Sequence, residues 1–159
     1  MEIFPQLIKE LGESNGASLE IDGAGTCKLI LKDELYLQLE PDNATGENLI
    51  MTCPLGEIPP GSYRRDIFKR AMIANWKEAP RYGIFSFSSL NNNLVIFDQL
   101  RMAHHSIDFL TKYLEKFIHR SLKWHEAIQS QDIPPMPIFD NISNNDKNPL
   151  GGGMPGLTS

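Results

Sequence analysis

The chain is 159 residues long, 41% hydrophobic and 22% charged, which fits one soluble globular domain with a real core and leaves too little for two. A net charge of −5 and a pI near 5.3 argue against nonspecific binding of nucleic acid, whose phosphates want a basic surface. Apolar runs such as Leu94-Val95-Ile96-Phe97 fall far short of a bilayer's thickness, so no membrane span is expected.

The first segment, Met1 to Gly12, mixes charges among its apolar residues and has no basic n-region, so it does not read as a secretory leader. It predicts a helix from about Ile3 to Leu11, with Phe4, Leu7, Ile8 and Leu11 at helical spacing and Gly12 placed to end it. Leu19-Glu20-Ile21-Asp22 alternates, Gly23-Ala24-Gly25 supplies a turn, and Cys27 to Leu31 follows as the second strand of a hairpin. In Leu35-Tyr36-Leu37-Gln38-Leu39 the leucines mark one buried face, leaving Tyr36, Gln38 and Ile30 on the other. Pro41 to Gly46 is a loop, Asn48 to Cys53 resumes strand character, and Pro54 is expected to stop it. Four antiparallel strands are therefore expected before the middle of the chain.

Ser62 is a plausible N-cap for a helix from Tyr63 to about Lys77, on which Ile67, Ala71 and Ala74 share one side and Phe68 and Met72 widen the apolar face. Arg64, Arg65, Lys69 and Arg70 read most simply as a solvated basic face. Pro80 prevents the helix from continuing. Ile84-Phe85-Ser86-Phe87 and Leu94-Val95-Ile96-Phe97 then flank a turn rich in asparagine, which tolerates left-handed conformations. From Ser106, the positions Ile107, Leu110, Leu114, Phe117, Ile118, Ser121 and Leu122 trace a long amphipathic helix. The order α-β-β-β-β-α-β-β-α defines an α+β domain over residues 1–130, a twisted antiparallel sheet flanked by three helices. Residues 131–159, rich in Pro, Asn and Gly, cannot build a core and are expected to be a disordered tail.

No constellation for chemistry stands out. Adjacent helical positions point about 100° apart, so His104 and His105 do not easily share a metal, and no third ligand accompanies His104 and Asp108. Gly23-Ala24-Gly25 lacks the Lys-Ser/Thr of a phosphate loop, and there is no Gly-x-Ser-x-Gly elbow. Cys27 and Cys53 sit in strand-like runs as small core residues, with a disulfide left open if their strands pair. No cofactor and no enzymatic activity are expected, although an active site assembled from distant residues would leave little trace in one sequence.

Three features together resemble the Tir-chaperone (CesT-like) family of type III secretion chaperones. They are Arg70-Ala71-Met72-Ile73-Ala74-Asn75 closing the second helix, the strand pair from Gly83 to Phe97, and Trp124 late in the last helix. The resemblance covers residues 1 to about 130, and the tail, with Pro134-Pro135-Met136-Pro137 and Gly151-Gly152-Gly153, is similar to that of chlamydial members. Lys112, Lys116, Arg120 and Lys123 make the last helix less acidic than the family usually shows. The resemblance implies an ATP-independent chaperone of the bacterial cytoplasm, homodimeric or paired with a related chaperone. It would bind the N-terminal segment of secreted effector proteins in extended form, with a secretion ATPase as a further partner. A regulatory adaptor of the same fold is the alternative, and a small enzyme the second. Phe4, Leu7, Leu11, Ile30, Tyr36 and Ile50 are the candidate cargo-binding residues; Ile67, Phe68, Ala71, Met72 and Trp76 are the candidates for the dimer interface.

Overall fold

A computed structural model describes residues 3–77 and 81–135, so most of the tail expected to be disordered lies outside the described residues. Helix α1 spans Ile3–Asn15, a turn longer than the glycine predicts. Gly12 lies inside it because the returning chain passes close by: a Cβ there would sit 2.7 Å from the Ala17 carbonyl oxygen. The stop comes at Gly16, in the left-handed region at φ +64. There the Ala17 N–H donates to Gly12 O at 2.9 Å and the Gly16 N–H to Glu13 O at 3.4 Å, the paired bonds of a Schellman cap.

Three strands, rather than four, then precede the second helix: β1 Cys27–Ile30, β2 Tyr36–Pro41 and β3 Asn48–Glu57. The strand expected at Leu19 to Asp22 reduces to one bridge, Ile21 to Cys27. Asp22 is responsible, since its carboxylate accepts the N–H groups of Ala24 and Thr26 and folds the chain into a tight turn before a ladder can form. Strand β3 also runs through Pro54 instead of stopping there. Its pairing with β2 ends at Thr52, so Pro54 meets only β5, and a register shift between Pro54 and Gly56 absorbs the irregularity.

Helix α2 (Ser62–Lys77), the hairpin β4 (Ile84–Ser88) and β5 (Asn93–Arg101), and helix α3 (Ile107–Gln129) complete the order. The hairpin turn uses a left-handed asparagine, Asn92, as the sequence suggests, and Ser106 caps α3 by accepting the Phe109 N–H. The result is the α+β architecture expected, a five-stranded antiparallel sheet in the order β1-β2-β3-β5-β4. Alternate residues Leu37, Leu39, Leu49, Met51, Cys53, Leu94 and Ile96 are buried in one core with Ile8 and Leu11 of α1 and Leu110, Phe117 and Trp124 of α3. Cys27 and Cys53 are free thiols on strands separated by β2, so the disulfide left open by the sequence is not formed. Burial pushes the Cys53 thiol up to about 11, partly offset by its hydrogen bond with Ser121.

The basic run on α2 is only half a solvated face. Arg65 and Lys69 are exposed, but Arg64 donates to Ile58 O and Asn92 Oδ1. Arg70 is buried: its Nε donates to Pro134 O at 2.9 Å, its Nη2 to Pro135 O at 2.7 Å, and its guanidinium lies 5.4 Å from the Trp124 ring centroid. Tyr63 also donates to Asp132 O, so residues 131–135 are held back against α2.

Between β2 and β3 the chain turns around Asp42, whose carboxylate accepts from the N–H groups of Thr45, Gly46 and Asn48 and from both of the polar side chains at Thr45 and Asn48. The Thr45 N–H is foremost in holding this carboxyl well below the usual carboxylate range, against an opposing desolvation. A depressed folded-state pKa stabilises the fold at pH values above the unfolded value of about 4 and loses that contribution as pH falls toward the folded one. Asp42→Asn is therefore expected to flatten the decline in stability below about pH 4, measured by urea unfolding across pH, and to destabilise the protein at neutral pH. A variant whose acid profile matched the parent's would show that this loop is not what acid attacks.

Candidate protein-binding surfaces

Strand β1 is one edge of the sheet. Antiparallel pairing alternates the direction of backbone groups, and the bond from Leu31 N–H to Leu35 O fixes which way they face. The N–H and C=O groups of Lys28 and Ile30 therefore point away from β2; the chain at Ile21 bridges to Cys27 on that side, beside Lys28, so the open part of the edge is at Ile30. Ile30 is 78% exposed and stands opposite Tyr36, also exposed, with the Lys28 ammonium 5.8 Å from the Tyr36 ring centroid. Ile50 shares this outer face but stands opposite Glu40, toward the other end of β2, and is half-buried. The fold thus brings together Ile30 and Tyr36, not the whole expected trio.

Phe4, Leu7 and Leu11 face the core and are buried. Two of them still reach clefts beside α1. Leu7 lines a cleft of about 620 Å³ with Ile3, Met102 and Ile107, and Phe4 lines a smaller one of about 280 Å³ with Ile21 and Pro41. Ile3 is the exposed large apolar residue of the first cleft. An apolar run gives no reason to separate it from Phe4, because the two differ only in which way the helix turns them.

The expected dimer residues divide in the same manner. Ile67 and Ala71 are buried inside the protomer, and Phe68 is half-buried with its ring 4.8 Å from that of Phe87. Met72 and Trp76 are 70% and 85% exposed. Four residues apart on α2, they lie on one face of the helix, away from the Ile67, Ala71 and Ala74 side. Helix α2 is thus two-sided, with Met72 and Trp76 turned to solvent beside the exposed Arg65 and Lys69. Among the described residues no helix is long and apolar enough to cross a membrane.

This five-stranded antiparallel sheet with three helices is an architecture found in solved structures of secretion chaperones. The chain is similar to a chain of the HopA1–SchA chaperone–effector complex, at 18% identity and a TM-score of 0.64, covering 79% of this chain and 95% of that one. It is also similar to a chain from the Yersinia pestis type III secretion chaperone SycH in complex with a stable fragment of YscM2 (17%, TM-score 0.55, 74% and 95% covered). A third likeness is to the heterodimeric ExoU–SpcU complex from the type III secretion system of Pseudomonas aeruginosa (13%, TM-score 0.56, 75% and 94% covered). At these identities the likeness is one of fold. The chain belongs to the Tir chaperone protein (CesT) family, whose model matches residues 6–125. No curated protein matches it by sequence.

Proposed function

We propose that this protein is a type III secretion chaperone of the bacterial cytoplasm that binds the N-terminal segment of secreted effectors in extended form and keeps it competent for export. Family membership supports the class. The observation that carries the binding mode is the β1 edge beyond the Ile21–Cys27 bridge, with the backbone groups of Ile30 directed outward beside the exposed Ile30 and Tyr36 side chains. An extended segment can add there as a further strand, its main chain supplying affinity and alternate side chains resting on Ile30 and Tyr36. Each apolar anchor buried in this way contributes about 1.5–3 kcal/mol before the cost of ordering the segment is subtracted. The cleft lined by Phe4 also includes Ile21 and Gly25, just ahead of β1, and the Leu7 cleft is a further apolar recess beside α1. Holding an unfolded segment needs no chemical step, so the protein works without catalysis or a cofactor, and as a dimer through the outer face of α2. The partner chains in the HopA1–SchA and SycH–YscM2 complexes are consistent with such a role.

The β1 edge has a clean test. The Ile30 N–H points away from β2 and lies beyond the Ile21–Cys27 bridge, so Ile30→Pro removes an edge donor without removing a bond of the β1–β2 ladder. The variant is expected to stay folded and to lose binding to an effector's N-terminal segment, measured by co-expression and calorimetry, while Tyr36→Ala weakens it about tenfold to a hundredfold. A folded Ile30→Pro variant that binds the segment with parental affinity would show that cargo does not enter as a strand at β1.

A further inference from the structure

The sheet has a second edge, β4, and it is not left open. Strand β4 pairs with β5 through Ile84 to Phe97, Phe85 to Ile96 and Ser86 to Val95. On its other side, the side-chain amide of Asn75, in the last turn of α2, takes both backbone groups of Phe85. Asn75 Oδ1 accepts the Phe85 N–H at 2.8 Å, and Asn75 Nδ2 donates to the Phe85 carbonyl at 2.9 Å. A primary amide has the same donor and acceptor pair as a peptide unit, so Asn75 makes the contacts that a residue of an adjoining strand would make. The neighbouring outward position is occupied as well, because Gly83 O accepts from Arg120 Nη1 at 3.1 Å. Asn75 is itself held in place. Its carbonyl oxygen accepts from Arg81 Nη1 at 2.7 Å, which fixes the end of the helix.

We propose that Asn75 is a specificity-determining residue that closes the β4 edge to strand addition, leaving the Ile30 end of β1, among the described residues, as the sheet edge open to an extended segment or to a second copy. Phe85 stands second in a strand of five residues, from Ile84 to Ser88. An incoming strand would need hydrogen bonds at alternate positions, Gly83, Phe85 and Phe87, and two of these three are engaged from within the protomer. What could still pair, beside Phe87 at the hairpin turn, is too short to hold a strand. The inference rests on the strand-addition reading of this protein for its meaning in cargo selection, but the closure itself is a property of the isolated protein. It also explains how α2 can offer Met72 and Trp76 outward next to a sheet edge without the sheet continuing into a neighbour, which is the hazard of an uncovered edge.

Hydrogen exchange and sedimentation velocity on the full chain, without cargo, test the closure. In the parent the Phe85 amide is expected to be protected and the association state independent of any β4 contact. In Asn75→Ala that amide should exchange at least tenfold faster in dilute solution. At higher concentration species larger than the parent's should form, with β4 amides protected again. Asn75→Asp serves if the alanine variant does not fold, since it keeps the acceptor for the Phe85 N–H but sets a carboxylate against the Phe85 carbonyl. Its Phe85 protection factor, the rate taken relative to the intrinsic rate at each pH, should be highest at low pH, where the carboxylic acid can both accept and donate, and should fall as the acid ionises against the Phe85 carbonyl. Folded variants with parental exchange at Phe85 and parental association at all concentrations would overturn the proposal. Loss of cargo binding in Ile30→Pro with unchanged β4 exchange separates failure of one reading from failure of the other.

Discussion

Replacing Trp76 with glutamate is expected to turn a dimer into a monomer, with the dissociation constant raised about a thousandfold or more. An indole ring buries about 150–250 Å² when covered, and at about 25 cal/mol per Å² that is about 4–6 kcal/mol of removed water contact. Truncating such an anchor in an interface commonly costs about 2–4 kcal/mol. In a two-fold dimer the same residue occurs on both sides, so the loss is counted twice. Even the lower figure, about 4 kcal/mol in all, is close to three decades in affinity. Because Trp76 is 85% exposed within the protomer, its replacement leaves the fold intact, and the monomer keeps a cooperative melt. Ile67→Glu is the contrast: that side chain is fully buried inside one subunit, so its charge unfolds the protomer rather than parting the dimer. Sedimentation velocity with a thermal melt on both variants distinguishes them, and a Trp76→Glu protein that remained dimeric at micromolar concentration would remove α2 from the interface.

The difference between Trp76 and Ile67 shows where a sequence stops being informative. Helical spacing found the inward side of α2 correctly, since Ile67, Ala71 and Ala74 are buried. It could not say that Met72 faces solvent, nor that Arg70, in a run of basic residues, is buried against Trp124 and two proline carbonyls. Periodicity reports which residues share a side of a helix, whereas what covers that side is decided by segments far along the chain. Helix α3 was the easiest element to read because its stripe and its Ser106 cap agree with each other. The misjudged boundaries at Gly12, Asp22 and Pro54 each involve a residue whose usual effect was overruled by a nonlocal neighbour or by its own side chain: Ala17 beside Gly12, the Asp22 carboxylate, and the end of β2 beside Pro54. Among the cargo candidates, the same limit separates Ile30 and Tyr36, which face outward together, from Phe4, Leu7 and Leu11, whose stripe chiefly fastens α1 to the core.

Gly83→Ala is expected to be the most damaging single-atom change among the glycines. Its φ is +100, outside the range an L side chain adopts easily, and a Cβ there would fall 2.6 Å from Ile96 Cγ1, 2.7 Å from Ile96 Cδ1 and 2.9 Å from Phe117 Cε2. Both Ile96 and Phe117 are fully buried in the core between sheet and α3, so neither has space into which to retreat. Nor can Gly83 move away. Its N–H donates to Asp98 Oδ2 at 3.1 Å, the Tyr113 hydroxyl donates to the same carboxylate, and Arg120 holds its carbonyl. Burial and the Asp98 carboxylate push the Tyr113 phenol up, so it is a neutral donor at neutral pH. The left-handed backbone costs about 1–2 kcal/mol and overpacking a filled core about 1–3 kcal/mol. Together these remove a large share of the 5–15 kcal/mol that typically separates folded from unfolded chains. Gly46→Ala supplies the comparison, since its φ of +70 carries the backbone cost but nothing lies within 4 Å of the added methyl. Urea unfolding should therefore place Gly83→Ala well below Gly46→Ala in stability. Equal losses at the two positions would mean that the core yields around Gly83, and that the junction between α2 and β4 is looser than its hydrogen bonds indicate.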